Sequence, residues 1–399
     1  MANRMFKYRL YPIRAHTKLL EEQLELCRQT HNLLLDYCKQ QYKENGKTPT
    51  QFDLNNLLIN LKQIRPEISL VFSQVLQNIA KRIKDAYTGF FARRRAGLRA
   101  GLPRFKGYGR YKSITYPQSG FKLEGDRLEL SKIGRIGIRQ HRELPENVKT
   151  LTVKRMPSGK WFAVFSCIVE VQPREKPVKD VGIDVGLSSF AVLSDGTAVE
   201  NPRYYRKGEG RLRRLGRALS RKERGSRNWV KAKINVARLH ERIGNRRSDF
   251  LHKASRKIAD KYGTVYVEDF KIQNMVRNHC LAMSISDAGW GIFTRMLAYK
   301  EEESGGRVVS VNPQGTTQRC SRCGEKVEKS LSERIHACPY CGLMMDRDLN
   351  AALNILERGR EIGRGPPEYR PVEEGASTPP LEVVQARPMN QEASLLVGR

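Results

Sequence analysis

Four of the eight cysteines fall within 22 positions, as Cys320-x-x-Cys323 and Cys338-x-x-Cys341 with fourteen residues between the pairs and Gly324 and Gly342 directly after them. Each pair can wrap two thiolates around a tight knuckle, and two knuckles close a tetrahedron with no open position, the donor set of a structural Zn²⁺ site. Two local disulfides are the weaker alternative. The other cysteines, Cys27, Cys38, Cys167 and Cys280, are scattered through apolar stretches, and a usage so dilute points to a reducing compartment. A catalytic zinc would need a free coordination position, which four thiolates do not leave.

A second constellation is acidic. Asp184 ends Val-Gly-Ile-Asp, Glu268 ends Val-Tyr-Val-Glu, and Asp346 or Asp348 opens Asp-Leu-Asn-Ala-Ala-Leu-Asn-Ile-Leu. Two of these acids follow runs of β-branched residues, so adjacent strands would bring them side by side, while the third would reach them from a helix N-terminus. Converging carboxylates repel unless cations neutralise them, and Mg²⁺ takes such oxygens together with substrate phosphates. Two ions in one carboxylate cluster suit phosphodiester hydrolysis without a histidine base. Taken singly, an acid after a strand is more often a turn former or helix cap than a metal ligand, and Asp346 is well placed to cap the helix that Asp348 opens; it is the joint order of the three that points to a site.

The partner must be polyanionic. Lys and Arg number 73 against 42 Asp and Glu, a formal charge of +31. Arg93, Arg94, Arg95, Arg99, Arg104, Lys106, Arg110 and Lys112 run without an acid among them, interleaved with Phe105, Tyr108 and Tyr111. Guanidinium groups grip phosphates and rings stack on bases, a combination suited to RNA. Between Arg203 and Arg247 there are 17 basic and three acidic residues, with Arg211, Arg213, Arg214, Arg217 and Arg221 forming a ladder suited to a nucleic-acid backbone, which the family resemblance drawn below implies is a guide–target heteroduplex. Gln74 and Gln77 are candidates for reading base edges, although ordinary surface polarity explains them too. The histidines show no ligand spacing and are read as structural.

These groups need scaffolds. Leu19 to Phe91 carries apolar residues at helical spacing and predicts a small helical module. Phe121 to Val171 alternates and predicts short, antiparallel, barrel-like strands. Gln172 to Pro177 reads as a linker. Beyond it come a strand hairpin (Val181–Leu193), two long basic helices, buried strands at Thr264–Val267 and Arg307–Val311, and a helix at Gly291–Glu303. The chain from about Arg358 has no period and is expected to be disordered. No stretch reaches the ~18 apolar residues of a membrane helix, and the basic start predicts no signal peptide.

The motifs Gly182-Ile183-Asp184-Val185-Gly186, Val267-Glu268-Asp269-Phe270, the four cysteines and Asp346-Arg347-Asp348-Leu349-Asn350-Ala351-Ala352-Leu353-Asn354-Ile355 together resemble the RuvC-like nuclease domain of transposon-encoded TnpB proteins, relatives of type V CRISPR effectors. The front of the chain, with Phe6-Lys7-Tyr8-Arg9-Leu10-Tyr11-Pro12 and Leu102-Pro103-Arg104-Phe105-Lys106-Gly107, is similar in layout. The resemblance implies an α+β multidomain fold: a wedge-type β-barrel (1–18 and 92–175) interrupted by a helical recognition module (19–91), an RNase H-like RuvC domain (178–314 and 344–357) with an inserted zinc ribbon (315–343), and a tail (358–399). It further implies an RNA-guided DNA endonuclease with guide RNA and double-stranded DNA as partners, an adjacent duplex motif read by the protein, two Mg²⁺ at Asp184, Glu268 and Asp348, and zinc at the cysteines. Its Asp-x-Asn-Ala-Ala pattern selects Asp348 over Asp346. A monomer without membrane attachment is expected, cytoplasmic and associated with a prokaryotic nucleoid. The rival readings are a non-catalytic nucleic-acid-binding regulator and a strand-transfer transposase.

Overall fold

The computed structural model describes residues 2–170, 178–330 and 333–364. The expected linker at 172–177 and the tail beyond residue 364 lie outside them. The chain divides into two compact units, one drawn from Met1–Val178, Asn201–Gly263 and Ile272–Arg307, the other from Lys179–Glu200, Thr264–Lys271 and Val308–Arg399.

The first unit is built on a seven-stranded antiparallel sheet: β1 (Ala2–Tyr11), β2 (Ser113–Tyr116), β3 (Phe121–Glu124), β4 (Arg127–Leu130), β5 (Gly134–Arg139), β6 (Val148–Arg155) and β7 (Trp161–Val169), in the order β2-β6-β7-β1-β5-β4-β3. Strand β1 bridges its halves, pairing with β7 along Ala2–Leu10 and with β5 at Arg9–Tyr11. The edge strands β2 and β3 are consecutive in the chain, and Tyr116 of one meets Phe121 of the other edge-to-face at 6.4 Å. The sheet therefore curls into a nearly closed barrel filled by Tyr8, Leu10, Ile136, Leu151, Ala163 and Phe165. Alternation in the strands sets this inward face.

Between β1 and β2 the chain forms α1 (Arg14–Asn45), α2 (Gln51–Ile64), a 3₁₀ turn (Pro66–Leu70) and α3 (Ser73–Arg95). Gly46 ends α1 in the left-handed region at φ 65°, and Thr50 opens α2 with a reciprocal capping box to Asp53. The buried stripe of α1 (Leu20, Leu24, Cys27, Leu34, Leu35) packs on that of α3 (Val75, Leu76, Ile79, Ile83, Tyr87) and joins the barrel core.

The same unit holds α4 (Tyr204–Ser220), α5 (Arg227–Ala259), α6 (Ile272–Met275), α7 (His279–Ala288) and α8 (Trp290–Glu303). Lys160 of β7's approach pairs with Glu241 of α5 at 3.3 Å, and Arg4 of β1 with Glu303 of α8 at 2.7 Å. The segment 178–314 is thus not one compact body, because its helical stretches group with the barrel.

The second unit holds a five-stranded sheet, β8 (Asp180–Val185), β9 (Ser189–Leu193), β10 (Ala198–Glu200), β11 (Thr264–Glu268) and β12 (Arg307–Val311), in the order β10-β9-β8-β11-β12. β9 runs antiparallel to β8, and β11 parallel to it. The short pair β13 (Ile335–Ala337) and β14 (Met344–Asp346) precedes α9 (Arg347–Arg364). This helix corrects the expectation that disorder begins near residue 358: its i, i+3, i+4 apolar stripe carries it further. Among the described residues no helix is long and apolar enough to cross a membrane.

Helix α9 sits directly on β8. A Cβ on Gly182 would collide with the carbonyl oxygen of Ala352 and stand 2.6 Å from the Leu356 amide nitrogen. Backbone cannot rotate away as a side chain can. Gly182→Ala is therefore expected to lose about 1–3 kcal/mol, read as a lowered thermal-unfolding midpoint; Gly137→Ala on β5, where a Cβ meets nothing within 4 Å, should change it much less.

Candidate carboxylate and cysteine centres

Parallel pairing of β8 with β11 ends at Ile183 opposite Val267, so the next residues along, Asp184 and Glu268, follow side by side, Asp184 still paired with Val192 of β9. Both are 8% exposed. Asp348 comes from the first turn of α9, and its Oδ2 lies 4.0 Å from where a Cβ on Gly186 would stand, two residues past Asp184.

The electrostatics register this convergence. Burial, with Glu268 and Asp348 nearby and Asp346 beyond, pushes the Asp184 carboxyl up to about 8, while Arg347 pulls the other way. Burial likewise raises Glu268, opposed by a hydrogen bond from the Thr316 hydroxyl and by the charge of Arg358. Asp348 faces Arg334 at 3.8 Å and Arg347 at 4.0 Å. Asp346 plays another part: its Oδ1 accepts from the amides of Asp348 (2.8 Å) and Leu349 (3.1 Å), capping α9.

Residue-type reasoning missed the groups that brace these acids. The Thr316 hydroxyl donates to Glu268 and lies 3.1 Å from the Pro313 carbonyl oxygen. Asn350 and Asn354, one turn apart on the buried face of α9, donate to the Arg319 carbonyl at 2.7 Å each, and Asn350 accepts from the Ser321 amide at 2.9 Å. Two asparagines at i and i+4 among Leu, Ala and Ile were the available signal, because a helix buries amides there only when they have partners.

The cysteine sulfurs Cys320, Cys323, Cys338 and Cys341 lie within 4.8 Å of one another, the only such group of three or more metal-binding donors among the described residues. Cys320 and Cys341 are 3.6 Å apart at sulfur, as are Cys323 and Cys338. Four thiolates with ~2.3 Å bonds to one tetrahedral ion stand about 3.8 Å apart, whereas a disulfide would need ~2.05 Å. The donor set fits a thiolate-bound ion, and the disulfide alternative fails. His336 is buried beside Lys329 and is not one of the ligands.

The basic candidates are exposed. Arg93, Arg94 and Arg95 fan out from the last turn of α3. Arg104, Lys106, Tyr108 and Arg110 are all exposed, Tyr108 to 87%, on a loop anchored by Arg28 and Asn32, both donating to the Lys106 carbonyl at 3.0 Å. Arg211, Arg213, Arg214, Arg217 and Arg221 line the open side of α4, whose Leu212 packs on Leu239 and Ile243 of α5. Tyr111 differs from the exposed ring expected of it, since it packs on the core and accepts from Arg82 at 3.3 Å. Gln77 is exposed, but Gln74 is already engaged, accepting from the Ser119 amide at 3.1 Å.

Residues 164–279 match a family model described as probable transposase, residues 290–355 one described as Cas12f1-like, TNB domain, and residues 1–47 one described as helix-turn-helix domain. The last segment here is a strand and the single helix α1. A Streptomyces pristinaespiralis protein named "Putative RNA-guided DNA endonuclease" is 33% identical, with 94% of each chain covered. The similarly named InsQ of Escherichia coli K12 is 36% identical over 79% of this chain and 81% of its own. Among solved structures, a Cas12f1–sgRNA–target DNA complex shares the fold with a TM-score of 0.55 at 16% identity, covering 86% of this chain and 83% of that one.

Asp184 keeps its proton to about pH 8 when folded, against a normal value of 3.8. The folded state thus holds more protons than the unfolded one between those limits, and stability falls as pH rises through that window. In EDTA, Asp184→Asn should unfold about 2–4 °C above wild type at pH 8. The gain should shrink toward pH 4, as calorimetry across that range can check.

Proposed function

The chain belongs to the TnpB family of RNA-guided DNA endonucleases, and we propose on that premise that it cuts DNA at sites selected by a bound guide RNA, with Asp184, Glu268 and Asp348 as its catalytic acids. The observation that carries this reading is the meeting of Asp184 and Glu268 at the ends of neighbouring parallel strands, with Asp348 arriving on α9. The order β10-β9-β8-β11-β12 supports an RNase H-like, RuvC-type assignment for this sheet.

The donors fit Mg²⁺. Two buried carboxylates with raised pKa values form a site that a hard dication would relieve, and oxygen-only donors suit magnesium. Asp184, Glu268 and Asp348 would hold two such ions, which when bound supply Lewis-acid stabilisation of the phosphoryl oxygens and a more acidic water. The chain's own contribution is positioning. β8 and β11 fix two carboxylates by backbone register, Thr316 holds the Glu268 rotamer, and Asp346 caps the helix that presents Asp348. The four cysteines would bind structural zinc, completing a ribbon at 315–343. Exposed arginines of α3, α4 and the 104–110 loop would grip guide and heteroduplex phosphates, with an adjacent duplex motif read by exposed polar groups such as Gln77.

Presence of all three acids opposes the non-catalytic regulator. Strand transfer is favoured by one observation, the probable-transposase match over residues 164–279, and would yield joined rather than free DNA ends.

Asp184→Ala, Glu268→Gln and Asp348→Asn should each abolish guided cleavage of a plasmid while RNA binding by filter assay is retained; uninterrupted cutting by any of them would remove that acid from the site. Asp346→Asn should keep measurable cleavage. Replacing Arg211, Arg214 and Arg217 with Ala should lower the salt slope of nucleic-acid binding by about 2–3 without moving the cut position.

A further inference from the structure

A cavity of about 620 Å³ opens in the first unit between the C-terminal half of α1, the C-terminal half of α3 and the loop after α3. Lys39, Lys43 and Arg104 bring three cations to it, and no acidic residue lines it. Among the described residues none of these cations is in an ion pair; the Lys39 ammonium instead sits 3.8 Å over the Phe105 ring. Tyr42 and Leu102 supply flat and apolar walls. Tyr42 and Tyr87 both contact Phe91, at 5.8 and 6.2 Å between ring centres, so the aromatic wall is held from behind.

Tyr87 provides an independent pointer. It lines the cavity, is 1% exposed, and its hydroxyl is buried without a hydrogen-bond partner. An unmet buried hydroxyl costs stability, and a ligand that pairs with it recovers that cost.

Uncompensated cations select a phosphate, aromatic and apolar walls select a planar ring, and a lone hydroxyl selects a polar ring edge. The volume suits one small ligand. A duplex does not enter a space of that size, and a base in DNA must first be unstacked at a cost of a few kcal/mol, whereas folded RNA already presents splayed bases in bulges and loops. We propose that this cavity binds one unpaired nucleotide of the bound RNA, with its phosphate at Lys39, Lys43 and Arg104, its base along Tyr42 and Leu102, and a polar base edge at the Tyr87 hydroxyl. The proposal rests on the reading that the chain carries an RNA.

The test uses the full chain purified with its co-purifying RNA, with Leu102 replaced by the photo-crosslinker p-benzoylphenylalanine. After irradiation, sequencing should find one dominant, unpaired RNA nucleotide attached. Tyr87→Phe, which removes a single oxygen, should cut RNA affinity about fivefold while the unfolding midpoint of the RNA-free chain stays at or above that of wild type, and Lys43→Gln, at an exposed position, should reduce crosslinking at the same nucleotide. Crosslinks scattered along the RNA, absent, or formed to target DNA would overturn the proposal, as would unaltered affinity in both variants. If wild type binds RNA and makes guided cuts while the crosslinks scatter, the cavity assignment alone fails; if wild type binds no RNA, the guided-nuclease reading fails with it.

Discussion

Backbone pairing makes neighbours of two side chains that would otherwise separate. The β8–β11 register places Asp184 beside Glu268, and burial denies both the water that would screen their repulsion. A flexible loop would relax such a pair apart. Strands cannot, because moving either acid means breaking ladder hydrogen bonds or slipping register, which would exchange the two packed faces of strands that are buried on both sides. A proton on Asp184 relieves that strain up to about pH 8, at the point where a cation would be most strongly drawn.

Support for that strain comes from how close α9 approaches the sheet. Gly182 lets the helix backbone touch β8, Ala351 and Ala352 are fully buried, and Tyr266, Val311 and Ile355 close the remaining space. Gly359 continues the same logic, since a Cβ there would run into the Tyr266 ring. Small residues on one helix face bring Asp348 toward the strand ends, so the third acid is positioned by absent methyl groups as much as by contacts made.

Much of this was legible in the residues. Apolar runs ending in an acid announce buried parallel strands, and paired CxxC motifs announce their own geometry, because in both cases the determining contacts are local or repeat at short spacing. Where the determining contact lies far along the chain, the sequence was silent. Thr316 is an unremarkable threonine until folding sets it 48 positions back against Glu268. Tyr111 reads as an interleaved stacking ring, yet Arg82 and the core claim it. The basic helices α4 and α5 interrupt the strand pattern in the chain, and nothing in their periodicity reveals that they group with the barrel.

Between Val311 and Met344 the chain makes a long excursion before returning to start α9. Asn350 and Asn354 fasten its outbound arm, at Thr316 and Arg319, to the helix in which it ends. The entropy of closing a flexible loop grows only as the logarithm of its length, about 0.6 kcal/mol per doubling. Everything distal to that clasp can accordingly be lengthened or trimmed at small entropic cost while the acids stay where they are.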